Sequence, residues 1–224
     1  MNEFFIRQMD LIGEDCQKQL SESAILIAGL GGLGGLAAEL SVRAGIGKLY
    51  IIDDGFIDEP DLNRQILYTA ADLGKRKIDM GLEKLKNIGL PTEIIPIYGR
   101  IDKSFKLPDD IDGIIDCLDN FRARYIIDEL ANKRNIFFVH GAINGWFGQI
   151  SSIVSGKTKR LKEIFPNMKD SNAIIPVMGF TPSVMASIQI SEAVKLICGI
   201  KNNLMNKILF IDLKNYSFDI VELS

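Results

Sequence analysis

The segment that most limits what this chain can fold into is Gly29-Leu30-Gly31-Gly32-Leu33-Gly34. It lies between the apolar run Ala24-Ile25-Leu26-Ile27-Ala28 and a helix-like stretch over residues 36–44. A buried strand, a tight glycine turn and a helix together form the first half of a nucleotide-binding β-α-β unit. Glycine lets the backbone come close to a phosphate, and the free N–H groups at a helix start favour its negative charge. Alone, the turn fits a dinucleotide-dependent dehydrogenase equally well. The second apolar run, Leu49-Tyr50-Ile51-Ile52-Asp53, ends in an acid placed to accept hydrogen bonds from ribose hydroxyls, its other reading being a structural acid paired with a backbone N–H. Just beyond it, Asp61-Leu62-Asn63-Arg64-Gln65 brings an arginine to a point where an ordinary dinucleotide site has no need of phosphate-directed charge.

The rest of the chain continues the alternation. Residues 75–87 have helical spacing, with Ile78, Leu82 and Leu85 apolar, and Gly89 and Pro91 close the helix. Short strands are expected over 93–97, 112–117 and 136–139, with a helix over 121–134. Alternation of this kind predicts an α/β fold with a mainly parallel sheet flanked by helices. After Gly141 the pattern changes. A strand over 148–154, a helix over 183–198 opened by Pro182, and a hairpin over 207–221 read as antiparallel additions to the same sheet. Residues 2–22 read as one charged amphipathic helix or two short ones. No linker or repeat interrupts the 224 residues, so residues 1–224 are expected to form a single Rossmann-like domain.

The glycine loop, Ile52-Asp53-Asp54, the Asp61–Gln65 segment, Lys77 and Asp116-Cys117-Leu118-Asp119-Asn120 resemble the ThiF/MoeB/HesA family, bacterial relatives of the ubiquitin-activating enzymes. Phe5-Ile6-Arg7-Gln8 is similar to the opening arginine motif of that family. The resemblance spans nearly the whole chain and keeps five motifs in order. It implies ATP-dependent adenylation of the C-terminal glycine of a small ubiquitin-like sulfur carrier ending in Gly-Gly, with ATP and Mg²⁺ bound and the enzyme acting as a homodimer. It also implies that residues 155–175, which show no clear period, form a mobile crossover loop over the carrier's tail. Relatives that form a covalent link to the carrier place a cysteine in this loop, and this chain has none there.

Adenylation joins a carboxylate to the α-phosphate of ATP and expels pyrophosphate. Because both reactants are anionic, the site has to neutralise charge and hold an in-line geometry. The expected catalytic set is Arg7, Arg64, Lys77 and Asp119. The expected nucleotide-binding set is Gly29, Gly31, Gly32, Gly34, Asp53, Asp54, Asp61, Asn63, Arg64, Lys77 and Asp119. Arg64 offers phosphate oxygens a planar donor fork; the other reading of Arg64 is a surface ion pair with Asp61 or Asp58. Asp119 is the expected magnesium ligand, because Mg²⁺ takes one or two carboxylates plus phosphate oxygens. Its other reading is an N-cap for the following helix, a part that Asn120 would play equally well. The resemblance implies that Arg7 reaches the site of the opposite subunit of a dimer; by sequence alone it reads as an exposed helix charge. Two positions depart from the family pattern. Gly55 stands where a second acid is usual, and Asp61 stands in place of an asparagine, where it either assists magnesium or signals a changed substrate.

Composition removes several classes of function. A net charge of −3 gives no bulk attraction to nucleic acid. No apolar stretch has membrane-spanning length and no leader is visible, so a cytoplasmic protein with neither a membrane nor a nucleic-acid partner is expected. The three cysteines, Cys16, Cys117 and Cys198, are odd in number and far apart, which speaks against a disulfide framework. No Cys-x-x-Cys pair exists, so no structural zinc is expected. His140 and Cys117 read as packed residues, and Trp146 and Phe147 as core or dimer-interface residues. The competing functions are an NAD-dependent oxidoreductase and a non-catalytic nucleotide- or carrier-binding scaffold. The first lacks a Tyr-x-x-x-Lys pair, and Gly55 and Asp61 keep the second open.

Overall fold

The structure is a computed structural model that describes residues 3–170 and 175–223. Two helices come first, α1 (Ile6–Ile12) and α2 (Glu14–Glu22), followed by β1 (Ala24–Ala28), α3 (Gly32–Ala44) and β2 (Lys48–Asp53). Next are α4 (Lys77–Lys86), β3 (Glu93–Tyr98), β4 (Gly113–Asp116), α5 (Phe121–Arg134), β5 (Phe137–Asn144) and β6 (Phe147–Val154). Last are α6 (Leu161–Ile164), α7 (Phe180–Ile197), β7 (Lys207–Asp212) and β8 (Ser217–Glu222).

The strands form one 8-stranded sheet in the order β3-β2-β1-β4-β5-β6-β7-β8. The pairs from β3 to β5 are parallel and those from β5 to β8 antiparallel. This is the expected Rossmann-like α/β architecture. Both faces are covered, which is why the central strands read as unbroken apolar runs. Ile25, Ile27, Leu49 and Ile51 face a core shared with α2, α3, α4 and α7. Leu26, Ile52, Ile114 and Phe138 face a second core with Ala123 and Ile127 of α5. The chain moves outward from β1 through β2 to β3, then returns to the other side of β1 as β4. The switch point of the sheet therefore lies between the carboxyl ends of β1 and β4, where open α/β sheets bind ligands.

One expectation needs correction, and two others are narrowed. Cys16 of α2 and Cys198, the residue that ends α7, form a disulfide with Cα atoms 5.1 Å apart. Their sequence separation of 182 concealed a contact that only helix packing creates. Trp146 and Phe147 are 37% and 53% exposed, so neither is a core residue; Trp146 packs against Phe180. The stretch 155–175 is not featureless. It contains α6 with a fully buried Leu161, the carbonyl of Phe165 accepts from the Tyr125 hydroxyl, and the Met168 N–H donates to the same hydroxyl. Residues 171–174 of that stretch lie outside the described residues.

Candidate active site

The glycine turn is built by close backbone approach. A Cβ on Gly34 would lie 1.7 Å from the carbonyl oxygen of Gly29, so no side chain fits where α3 leaves β1. Gly31 precedes the first helical residue, Gly32, and the uncapped N–H groups of that turn face the switch point. Asp53, at the carboxyl end of β2, accepts from the Leu30 N–H at 2.8 Å and from the Gly55 N–H at 2.7 Å. It thus pins the glycine loop, and each of its oxygens retains a further lone pair for another donor. Asp54 does not share this arrangement. It pairs outward with Arg100.

Across the mouth of the glycine turn lies the 61–65 segment, held by a short turn over Glu59–Asp61 that begins in Asp58 and Pro60. Asp61 is buried. Its Oδ2 lies 3.0 Å from Lys77 Nζ, and its Oδ1 accepts from Arg64 Nη2 at 3.2 Å and Gln65 Nε2 at 2.6 Å. Arg64 Nη1 donates to the Pro60 carbonyl and to Asn63 Oδ1. Arg64 does pair with Asp61, yet it stays beside the glycine turn, because a Cβ on Gly32 would touch its Cγ at 3.5 Å. Lys77 is the first residue of α4. Of its neighbours, Lys75 lies 3.8 Å from Asp72 and Arg76 stacks over the Tyr98 ring. Lys77 is therefore the member of that basic run turned toward the site.

Asp119 follows β4 and is exposed. Asn120 is the N-cap of α5, accepting from the Ala123 N–H at 2.9 Å, so Asp119 is released from that task. Asp170 accepts from the Phe121 and Arg122 N–H groups, which brings the end of the 155–170 segment to the same helix start. No group of three or more His, Cys, Asp or Glu able to cage a metal exists among the described residues. A lone exposed carboxylate fits Mg²⁺, which keeps most of its water and phosphate ligands, and does not fit a structural zinc.

Beneath this site is a second charge cluster that the sequence reading did not identify. Asp116 and His140 are fully buried, with Asp116 Oδ2 2.7 Å from His140 Nδ1 and 3.3 Å from Arg124 Nε. His140 Nδ1–H donates to Asp116, leaving Nε2 to accept from Gln149 Nε2 at 3.2 Å. Burial lowers the histidine pKa, so the neutral ring is favoured. Arg124 also donates to the carbonyls of Leu118 and Gly141, and Asp116 Oδ1 accepts from the Leu118 N–H. Both sides of the Leu118 peptide backbone are thereby gripped next to Asp119. Cys117, between them in sequence, has its thiol pushed well up by burial and then by the Asp116 carboxylate, which makes it a poor nucleophile. Gly179 is a further residue that sequence reasoning missed. A Cβ there would meet the Asn63 carbonyl oxygen at 2.3 Å, so the entry to α7 packs directly on the arginine segment.

Arg7 stands apart from all of this. It lies on α1, which has no fully buried residue; its neighbour Gln8 is bonded to Gln17 and to the Ala44 carbonyl, and Ile12 packs on the core. Ala44 is the last residue of α3, whose 13 residues span roughly 20 Å from the glycine turn.

Several known proteins are similar to this chain in sequence or fold. Residues 5–224 match the ThiF family. Protein HesA, heterocyst, of Trichormus variabilis is 32% identical over 96% of this chain and 83% of its own length. The sulfur carrier protein ThiS adenylyltransferase of Bacillus subtilis is 32% identical over 84% of this chain and 58% of its own length. Among solved structures, E. coli MccB with succinimide superimposes with a TM-score of 0.89 at 19% identity, covering 100% of this chain and 71% of that one. At that identity the likeness is one of fold. No helix among the described residues is long and apolar enough to cross a membrane. With a family match from Phe5 to the last residue and a relative at 32% identity covered over most of its length, the chain belongs to the ThiF family.

Proposed function

We propose that this protein adenylates the C-terminal glycine carboxylate of a small ubiquitin-like sulfur carrier ending in Gly-Gly. The observation that carries this reading is the pair of cations, Arg64 and Lys77, set on one acid at the mouth of the glycine turn. A dinucleotide's sugar needs one acid at the end of β2; two cations and an exposed carboxylate beyond it suit a triphosphate. Similarity to a sulfur-carrier adenylyltransferase supports the same substrate class.

In this reading Asp53 holds the ribose, while the glycine turn and the start of α3 receive phosphate oxygens. A carrier carboxylate oxygen attacks the α-phosphorus as the bond to the β-phosphate bridging oxygen breaks, and pyrophosphate leaves. Arg64 and Lys77 offset the charge that develops on the α-phosphate and the leaving group. Asp119 is the residue that would hold Mg²⁺, which when bound supplies charge neutralisation on the phosphates. Arg7 lies too far from its own glycine turn to take part there, which favours a homodimer in which it serves the partner's site. The exposed Trp146 and Phe147 suit such an interface or the docked carrier. The product is the carrier acyl-adenylate, because the 155–175 loop has no thiol and Cys117 is disfavoured as a thiolate.

ATP–pyrophosphate exchange with candidate carriers, followed by non-reducing mass spectrometry, tests this. Carrier-dependent exchange and a free carrier-adenylate are expected. Tight NAD binding without Mg-ATP binding, or a thiol-cleavable adduct abolished by Cys117→Ser, would contradict it.

A further inference from the structure

Asp61 is where this chain departs from the asparagine usual in the resembling family, and the structure gives that departure a physical role. Its two carboxylate oxygens are divided between the two phosphate-directed cations, Oδ2 to Lys77 and Oδ1 to Arg64. The carboxylate is itself fixed, because Gln65 Nε2 donates to Oδ1 at 2.6 Å and the Asp58 N–H to Oδ2 at 3.3 Å. Arg64 has second anchors in the Pro60 carbonyl and Asn63 Oδ1. Lys77 has none: among the described residues, Asp61 is the only acid within ion-pair distance of its ammonium.

We propose that Asp61 is a positioning residue that serves as an internal counter-anion. It holds Arg64 and Lys77 in place before nucleotide arrives and restrains the affinity of the site for phosphate anions. This rests on the assignment of these two cations to phosphate. With Asp61 the three side chains carry a net charge of about +1, and with asparagine about +2. The asparagine amide would also present a donor toward the Lys77 ammonium, releasing that side chain to an incoming anion. Holding the cations on a fixed acid limits ground-state anion binding, so that their full effect is reserved for the charge that develops during transfer.

The test is calorimetric titration of inorganic pyrophosphate, and separately Mg-ATP, into the intact protein at low salt. Pyrophosphate has no base or sugar and needs no carrier, so it reports on the cations alone. Asp61→Asn is expected to bind pyrophosphate about five-fold or more tightly than wild type, since one charge within a few ångströms has been removed. Lys77→Met added to Asp61→Asn should cancel most of that gain. A merely structural role for Asp61 predicts the opposite sign, because a loosened site binds more weakly. Equal or weaker pyrophosphate binding by Asp61→Asn overturns the proposal. If Asp61→Asn does not fold, Asp61→Ser is read by the same criterion. Tighter pyrophosphate binding with no Mg-ATP binding by either protein would sustain the counter-anion role and remove the adenylation reading. Mg-ATP binding by both, with unchanged pyrophosphate affinity, would do the reverse.

Discussion

Two clusters of charge flank the glycine turn, and they are built on opposite plans. Asp116, His140 and Arg124 are 0%, 0% and 7% exposed, and Nη2 of the arginine donates to two backbone carbonyls. Asp61, Arg64 and Lys77 are 12%, 31% and 14% exposed, and the lysine is held by a single carboxylate. The first cluster is closed: its hydrogen bonds grip both sides of the Leu118 backbone, and its histidine is favoured neutral. The second is more open, and in the proposed function its cations exchange an internal acid for an external anion. Comparable side chains would thus serve rigidity in one place and ligand binding in the other, the difference lying in burial and in how many partners hold each cation.

The sharpest way to break this comparison is to truncate one member of each. Asp116→Ala strands the Arg124 guanidinium in the interior, and a loss of about 3–5 kcal/mol of stability is expected in denaturant titration. Arg64→Ala should cost under about 1 kcal/mol by the same measurement, while carrier-dependent exchange falls about a hundred-fold or more. Equal stability losses in the two variants would erase the distinction.

The open cluster should also accept a cation from outside its own chain. Arg7→Ala and Arg64→Ala proteins, each inactive alone, are expected to recover about a quarter of wild-type exchange when mixed to form heterodimers, one site in two being intact in half of the statistical assortment. No recovery in proven heterodimers would mean that Arg7 does not act across subunits.

The smallest effect concerns the closed cluster. Burial holds the folded-state pKa of His140 below its ordinary value near 6.5. As pH falls below that value the unfolded chain takes up a proton that the folded one refuses. The contribution is therefore full above about 6.5 and is lost as pH falls toward the folded pKa. Denaturation midpoints should decline between about pH 7 and pH 5, and His140→Gln should flatten that decline. An identical slope in the variant would place the pH dependence elsewhere.

Much of this molecule is legible in the chain because local rules decided it. The run 24–28, the glycine turn and the helix after it follow from burial on both faces of a parallel sheet and from a backbone contact that admits no Cβ. The bounds of α5 at Phe121–Arg134 coincide with the helix expected over 121–134, with Asn120 capping it. Asp53 could be placed because it ends a strand whose direction the alternation already set, whereas only the family resemblance singles out Lys77 from the neighbouring Lys75 and Arg76. What remained hidden depends on elements distant in sequence. Nothing near Cys16 announces Cys198, because their meeting depends on how α2 packs against α7. Asp116 and His140 read as ordinary strand residues until pairing of β4 with β5 sets them side by side. The carboxylate of Asp61 could have faced solvent, magnesium or a cation. The fold of the 59–65 turn against the start of α4 is what set Lys77 Nζ 3.0 Å from it. Periodicity and glycine geometry act over a few residues and survive in the sequence; the partner of a charge is chosen by whatever the tertiary structure brings within about 4 Å, and one chain does not record that distance.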